Sequence, residues 1–328
     1  MTLAILAIIF GIFTLVKSAD LFVEGASGTA KYFGMSEFLI GMLILGFGTS
    51  APELLVSASA SIDGNGALAL GNAYGSNIAN IALILGVTAI ISPVVIQKKI
   101  VNRDMPLLLG ITVLSACLLW DYSISRIDAW ILLAVFLAFT VYSIRTGKSE
   151  PDKKADTDLK KDEKEKKPVV IWKEIIKLTA GLVILVGSSK LLVWGAVEIA
   201  HILKVSDLLI GLTVVAIGTS LPELASSVTA SIKGNNDMAI GNVVGSNMFN
   251  TLTVVGLAGA IKEINTEPEV LYRDMSMVLF LTLLLIIVSF PFIRKPEGFI
   301  NRYEGVVLFC SYMAYTVYLI VTAPGAAG

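Results

Sequence analysis

The stretch GTSAPE at residues 48–53 returns as GTSLPE at 218–223, and GNAYGSNIAN at 71–80 returns as GNVVGSNMFN at 241–250. A shift of 170 residues aligns 34–90 with 204–260 without a gap, and about 24 of the 57 positions are identical, far above chance. The chain is therefore an internal duplication. Each of these four segments lies in the middle of a long apolar run.

The composition around these segments is that of a membrane protein. Of 328 residues, 55% are hydrophobic and 16% are charged, and the mean hydropathy is +0.80. These values exclude a soluble enzyme. The net charge of −1, without a large basic surface, argues against a nucleic-acid partner. Cys117 and Cys310 are far apart in apolar runs and His201 is the only histidine, which argues against disulfides and sites built on several imidazoles.

The apolar runs predict the number of membrane spans. A hydrocarbon core about 30 Å thick requires about 20 apolar residues per helix. The predicted fold class is an all-α polytopic membrane protein with ten transmembrane helices. We predict these helices at residues 2–26, 36–62, 67–95, 105–120, 126–146, 172–200, 206–232, 237–261, 274–294 and 302–322.

The duplication predicts how the ten spans are organised. Five spans per half is an odd number, so the second half must enter the membrane upside down relative to the first, as in the inverted repeats of secondary transporters. We predict one transport domain, with a first repeat at 1–146, a linker at 147–170 and a second repeat at 171–328. The linker mixes charges of both signs without aromatic residues, as disordered segments do.

The distribution of Lys and Arg predicts the orientation. Short loops on the linker side carry most of the basic residues, and such loops are usually cytoplasmic. We therefore predict a multi-pass protein of the cell membrane with a cytoplasmic linker and both termini outside. Asp20 and Glu24, with Lys17, read as a local charge cluster near a membrane interface.

Proline residues predict an interruption in the second span of each half. Pro52 and Pro222 lack an N–H, so the carbonyls of Gly48 and Gly218 lose their helical partners. Free carbonyls at membrane depth are tolerated only where they face protein or line a cavity. The two breaks therefore predict a cavity near the membrane centre, and a cation is a natural occupant.

Helical spacing predicts which side chains face this cavity, and polar groups in the middle of a span often mark an ion path. Each half brings hydroxyls, a carboxylate and amide oxygens to its helix faces. The residues are Thr49, Ser50, Glu53, Ser76, Asn77 and Asn80 in the first half, and Thr219, Ser220, Glu223, Ser246, Asn247 and Asn250 in the second. For Asn72 and Asn242 the sequence leaves two readings open, a cation ligand or a tie between helices.

All of these donors are hard oxygens, which suit Ca²⁺ and also Na⁺. Two ionised carboxylates would give the site a charge of about −2, matching one Ca²⁺ or two to three Na⁺. The residues thus identify oxygen as the ligand type, but they do not distinguish Ca²⁺ from Na⁺.

At these residues the chain resembles the cation/calcium exchanger superfamily, and most of all the compact prokaryotic sodium/calcium exchangers. The resemblance covers both halves and implies that the helices at 2–26 and 172–200 slide against the rest. Some members have Asp where this chain has Asn250. The resemblance implies cation ligands at Glu53, Glu223, Thr49, Ser50, Thr219, Ser220, Ser76, Asn80, Ser246 and Asn250, and through the backbone at Gly46 and Ala216.

The predicted function is a secondary-active antiporter that exchanges Na⁺ for Ca²⁺ by alternating access at a midplane site. It is not an enzyme and needs no cofactor, since Na⁺ and Ca²⁺ are its transported substrates. The protein is expected to be embedded in the lipid bilayer. The sequence indicates no obligatory protein partner. The alternatives are coupling to H⁺ or K⁺, a passive channel, and an intramembrane protease built on paired carboxylates.

Overall fold

The structure is a computed structural model that describes residues 1–147, 170–203, 214, 216–290 and 298–322. Eight of the helices in these ranges are long and apolar enough to cross a membrane, and one bent pair adds a ninth. The helices are α1 (Thr2–Phe33), α2 (Glu37–Thr49), α3 (Ala51–Ile62), α4 (Gly66–Ile91), α5 (Ile100–Leu118), α6 (Arg126–Gly147), α7 (Ile171–Ile202), α8 (Ala216–Thr219), α9 (Leu221–Ile232), α10 (Asn236–Ile261), α11 (Val270–Ser289) and α12 (Arg302–Thr322).

The predicted all-α membrane fold is confirmed, with differences at the edges of some spans. The seventh span, predicted at 206–232, lies partly outside the described residues, as does the linker apart from its ends. Helix α5 begins at Ile100 rather than 105, so Arg103 and Asp104 lie inside it. Their side chains pair at 2.9 Å, and this pairing makes both charges tolerable within a membrane helix.

The second span of each half is broken, as the prolines predict. Helices α2 and α3 meet at an angle of 45° at Ser50, which has φ −84° and ψ 5°. Ser220 has nearly the same geometry between α8 and α9, with φ −90° and ψ 4°. Pro52 and Pro222 follow at the start of the next helix, where a missing N–H costs no helical hydrogen bond.

Wider π-helical turns interrupt several spans. They cover Gly41–Leu45 in α2, Ala79–Leu85 in α4 and Asn250–Val254 in α10. Such turns often occur at functional sites because they redirect the side chains of a helix. Two of the predicted site residues, Asn80 and Asn250, are at or near the start of these turns.

Four short strands connect the two halves, a feature that the sequence did not indicate. Strand β1 (Val94–Ile96) pairs antiparallel with β4 (Gly298–Ile300), and β2 (Ser123–Ile124) pairs antiparallel with β3 (Ile264–Asn265). Each pair joins a strand of the first half to one of the second. The halves are thus interlocked by backbone hydrogen bonds as well as by side-chain packing.

Glycines allow the backbones of α10 and α2 to come into direct contact. A Cβ atom added to Gly241 would lie 2.5 Å from the Phe38 carbonyl oxygen, and one added to Gly245 would lie 2.3 Å from that of Met42. A Cβ on Gly46 would lie 2.8 Å from the backbone nitrogen of Ser246. This close crossing brings the first polar segment of one half against the second polar segment of the other.

Candidate cation site

Two carboxylates lie at the centre of the protein, one from each broken helix. Glu53 is in the first turn of α3 and Glu223 in the first turn of α9, and they are 1% and 2% exposed. Ser50 Oγ donates a hydrogen bond of 3.1 Å to Glu223 Oε1, across the boundary between the halves. The Oε2 atoms of both carboxylates are buried without a hydrogen-bond partner. Buried acceptors of this kind are costly unless a donor or a cation satisfies them.

The hydroxyls before each proline lie beside these carboxylates and are not equivalent in the two halves. Thr49 is fully buried, and its Oγ1 donates to the Leu45 carbonyl at 2.9 Å and lies 3.5 Å from Asn242 Oδ1. Ser220 occupies the position that Ser50 has in the first half, but its buried Oγ has no partner. Thr219 ends helix α8 and is half-buried.

Asn72 and Asn242 tie helices together through their amide nitrogens, as one of the two readings of the sequence expects. Asn242 Nδ2 donates to the Glu223 carbonyl at 3.2 Å, and to the hydroxyls of Ser226 and Ser227. Asn72 Nδ2 donates to the Glu53 carbonyl at 3.0 Å. In each half, the asparagine amide therefore holds the first turn of the helix that carries the carboxylate.

The second polar segments supply more buried oxygens. Ser76, Asn80, Ser246 and Asn250 are 7%, 1%, 0% and 1% exposed. Ser246 Oγ donates to the Gly46 carbonyl at 3.2 Å, so that oxygen lies at the crossing of α2 and α10. Ala216 begins the short helix α8. The Gly46 carbonyl is thus in contact with another predicted site residue.

Helices α1 and α7 cover the site and pack closely on each other. A Cβ on Gly25 would lie 2.4 Å from the Leu178 nitrogen, and one on Gly181 would lie 2.6 Å from that of Phe22. Ser189 Oγ donates to the Gly218 carbonyl at 2.7 Å, so a hydroxyl of α7 satisfies one of the carbonyls that the prolines free. The sequence did not single out Ser189, since the duplication has Ala19 at its counterpart.

The chemistry of this donor set suits a hard cation. Across the described ranges no three His, Cys, Asp or Glu side chains cluster, so the two carboxylates act with neutral hydroxyl, amide and carbonyl oxygens. Ca²⁺ in proteins takes about 6–8 such oxygens, and two carboxylates supply the charge of one divalent ion. Soft metals are disfavoured because the site offers neither thiolate nor imidazole.

Comparisons with known proteins agree with this geometry. The sequence model of the family described as sodium/calcium exchanger protein matches residues 3–145 and 173–321. The putative antiporter CaxA of Alkalimonas amylolytica is 39% identical over 316 residues, covering 96% of this chain and 98% of that protein. The sodium/calcium exchanger MaX1 of Methanosarcina acetivorans is 31% identical, covering 97% of this chain and 99% of that protein.

A solved structure has the same fold. It is that of the sodium-calcium exchanger NCX_Mj soaked with 2.5 mM Na⁺ and 0.1 mM Ca²⁺. It superposes with a TM-score of 0.82 at 29% identity and covers 98% of this chain and 99% of its own. The likeness extends over both halves and therefore includes the two broken helices that carry the carboxylates.

Proposed function

This chain belongs to the sodium/calcium exchanger protein family, a family of membrane antiporters and not of enzymes. We propose that it exchanges Na⁺ for Ca²⁺ at the site formed around the carboxylates of its two broken helices. The two buried Oε2 atoms without partners carry the proposal. A buried carboxylate that lacks donors is stabilised by a bound cation, and two of them match one divalent ion. Family membership removes the intramembrane protease as an alternative.

The proposed ligand set is the one that the resemblance implies. The carboxylates of Glu53 and Glu223 provide the charge, and their surroundings provide neutral oxygens in two related sets. The neutral donors are the hydroxyls of Thr49, Ser50, Ser76, Thr219, Ser220 and Ser246, the amides of Asn80 and Asn250, and the backbone carbonyls of Gly46 and Ala216. Since Na⁺ and Ca²⁺ both accept such oxygens, one cage serves both ions in turn.

Alternating access is supported by an asymmetry between the halves. Helix α1 packs along α9, and Asp20 and Glu24 of α1 pair with Lys233 at 3.2 and 3.1 Å. The corresponding packing of α7 on α3 is nearly absent, although both helices are fully described. A gap on one side and close packing on the other are what a transporter open to one side of the membrane requires.

The proposed orientation follows from the basic residues. A cytoplasmic linker at 147–170 joins a first repeat at 1–146 to a second at 171–328, and both termini are outside. Lys233 then lies on the cytoplasmic side, because α9 runs toward the side from which α7 starts. The close packing of α1 on α9 then closes the cytoplasmic side, and the site is open to the outside.

Transport by the purified full-length chain in proteoliposomes tests the coupling ion. Vesicles loaded with Na⁺ are diluted into Na⁺-free medium with radioactive Ca²⁺, and the assay is repeated with a pH gradient or a K⁺ gradient instead. We expect Ca²⁺ uptake that requires the outward Na⁺ gradient. Uptake driven by the pH gradient alone, or only with K⁺ present, would replace Na⁺/Ca²⁺ exchange by one of the two alternative couplings.

A further inference from the structure

Four buried asparagines lie where α4 contacts α10, and they are not arranged alike in the two halves. Asn77 and Asn247 are counterparts in the duplication, as are Asn80 and Asn250, and each is 1% exposed. Asn80 Nδ2 donates to Asn247 Oδ1 at 3.0 Å. The duplication therefore predicts a matching bond from Asn250 to Asn77, with the same pair of side chains in the opposite half.

That matching bond is absent among the described residues, because Asn77 has another partner. Asn77 Nδ2 donates to Thr251 Oγ1 at 2.8 Å. The counterpart of Thr251 in the first half is Ile81, which has no hydroxyl, so Asn247 has no equivalent bond. A single difference between the repeats thus changes the hydrogen bonding of the whole group.

The consequence is an uneven distribution of unsatisfied atoms. Asn77 Oδ1 and Asn250 Oδ1 are buried without donors, whereas at the other pair the unsatisfied buried atom is Asn247 Nδ2. Two free amide oxygens attract a cation, and a free amide N–H₂ group does not. The Asn77–Asn250 pair therefore offers two unsatisfied oxygens to a cation, whereas the unsatisfied atom at the Asn80–Asn247 pair is a donor.

We infer that Asn77 is a further cation ligand and that Thr251 is the residue that positions it. Thr251 accepts the hydrogen bond of the Asn77 amide nitrogen. This bond leaves the Asn77 oxygen without a donor and prevents the Asn77 amide from donating to the Asn250 oxygen. The cation then binds off centre, toward Asn77 and Asn250. This inference rests on the proposed function, since it names ligands for the same transported ions.

A packing role alone does not account for this arrangement. Polar groups buried only for packing are stable when all of them are paired, and a network that is partly paired is worse than an apolar core. Here the Asn77–Thr251 bond leaves two acceptors unmet in the interior. A bound cation satisfies both acceptors at once.

The test compares Ca²⁺ binding, by titration calorimetry with CaCl₂ alone, in the purified full-length chain and its variants. Thr251→Val keeps the shape of the side chain but removes the acceptor, so the Asn77 amide is free to turn to Asn250. We expect Ca²⁺ affinity to fall at least about tenfold, as for other residues that orient a metal ligand. Thr251→Ser retains the hydroxyl and should bind like the wild type, and Ile81→Val at the counterpart position is the matched control.

A second readout separates positioning from a general structural effect. In proteoliposomes, Thr251→Val should raise the KM for Ca²⁺ while transport at saturating Ca²⁺ stays near the wild-type rate. A lower unfolding temperature with unchanged affinity and KM would overturn the inference, and so would equal losses in Thr251→Val and Ile81→Val. Absence of Ca²⁺ binding in the wild type would instead contradict the proposed function, so the two failures are distinguishable.

Discussion

Ser50 and Glu223 lie in different halves of the chain, 173 residues apart, and are joined by a hydrogen bond of 3.1 Å from hydroxyl to carboxylate. The counterparts Ser220 and Glu53 differ, since Ser220 Oγ is buried without any partner. The bond links the first broken helix to the charged group of the second. A substitution at either residue is therefore expected to disturb the cation ligands of both halves.

Replacing either carboxylate should abolish Ca²⁺ transport. Glu53→Gln and Glu223→Gln keep the side-chain size but each removes one of the two negative charges that balance a divalent ion. We expect uptake in proteoliposomes below about a tenth of the wild-type rate in both variants. Glu198→Gln, on an exposed part of α7, is the matched control and should transport normally. Substantial uptake in both carboxylate variants would contradict the proposed site.

Ser50→Ala should weaken Ca²⁺ binding without unfolding the protein. The variant loses a hydroxyl ligand and a hydrogen bond to a carboxylate, and bonds to charged groups contribute about 1.5–3 kcal/mol. We expect at least about a tenfold loss of affinity in titration calorimetry. Ser61→Ala removes a similarly buried hydroxyl that bonds the Ala258 carbonyl and not a carboxylate, so its affinity should stay near that of the wild type. Similar losses in both variants would count against a direct role of Ser50.

Cross-linking α1 to α9 should stop transport. The carboxylate of Asp20 contacts the ammonium group of Lys233 in the structure. The variant Asp20→Cys/Lys233→Cys should therefore react with a short bifunctional thiol reagent. The exposed Cys117 and Cys310 are replaced beforehand, so that only the two new thiols react. If α1 must leave α9 during each cycle, the linked protein cannot complete it. A reagent cleavable by reductant provides the control, because reduction should restore uptake. Normal transport by the fully linked protein would show that α1 does not move relative to α9.

The duplication adds a further expectation about the opposite state. The counterparts of Asp20 and Lys233 are Lys190 and Asp63, so the pair recurs with its charges exchanged. No ion pair joins Lys190 to Asp63 in the structure of the described residues. We expect Lys190→Cys with Asp63→Cys to cross-link only when the site faces the other side of the membrane. Equal cross-linking of both pairs under one ion condition would contradict this expectation.

Gly245→Ala should destabilise the crossing of α2 and α10. The added Cβ would lie 2.3 Å from the Met42 carbonyl oxygen, and overpacking of this kind costs about 1–3 kcal/mol. A lower midpoint of thermal unfolding in detergent would show the effect. Gly110→Ala is the control, because its Cβ would meet nothing within 4 Å and alanine favours a helix over glycine. Equal midpoints for the two variants would mean that the close approach does not contribute to stability.

The sequence alone determined the properties that depend on local pattern. The length of each apolar run fixed nearly all of the spans, and Pro52 and Pro222 fixed the two breaks. Helical spacing placed Ser246 and Asn250 on one face of α10, because side chains four residues apart share a face of a helix, whereas Thr49 and Glu53 lie on either side of the break at Ser50. The duplication indicated that the halves would meet, because sites in inverted-repeat transporters form where interrupted helices of the two halves come together.

Which atoms meet across the halves depends on packing that helical periodicity does not predict. Asn72 and Asn242 tie helices through their amide nitrogens, which reach the carbonyls of Glu53 and Glu223, and helical spacing cannot reveal these contacts. The same holds for the choice of Asn77 between Asn250 and Thr251. A duplication offers two equivalent pairings at every such contact, and small differences between the repeats select one of them. That selection depends on packing between residues far apart in the chain, whereas the helices themselves depend on neighbours within a few residues.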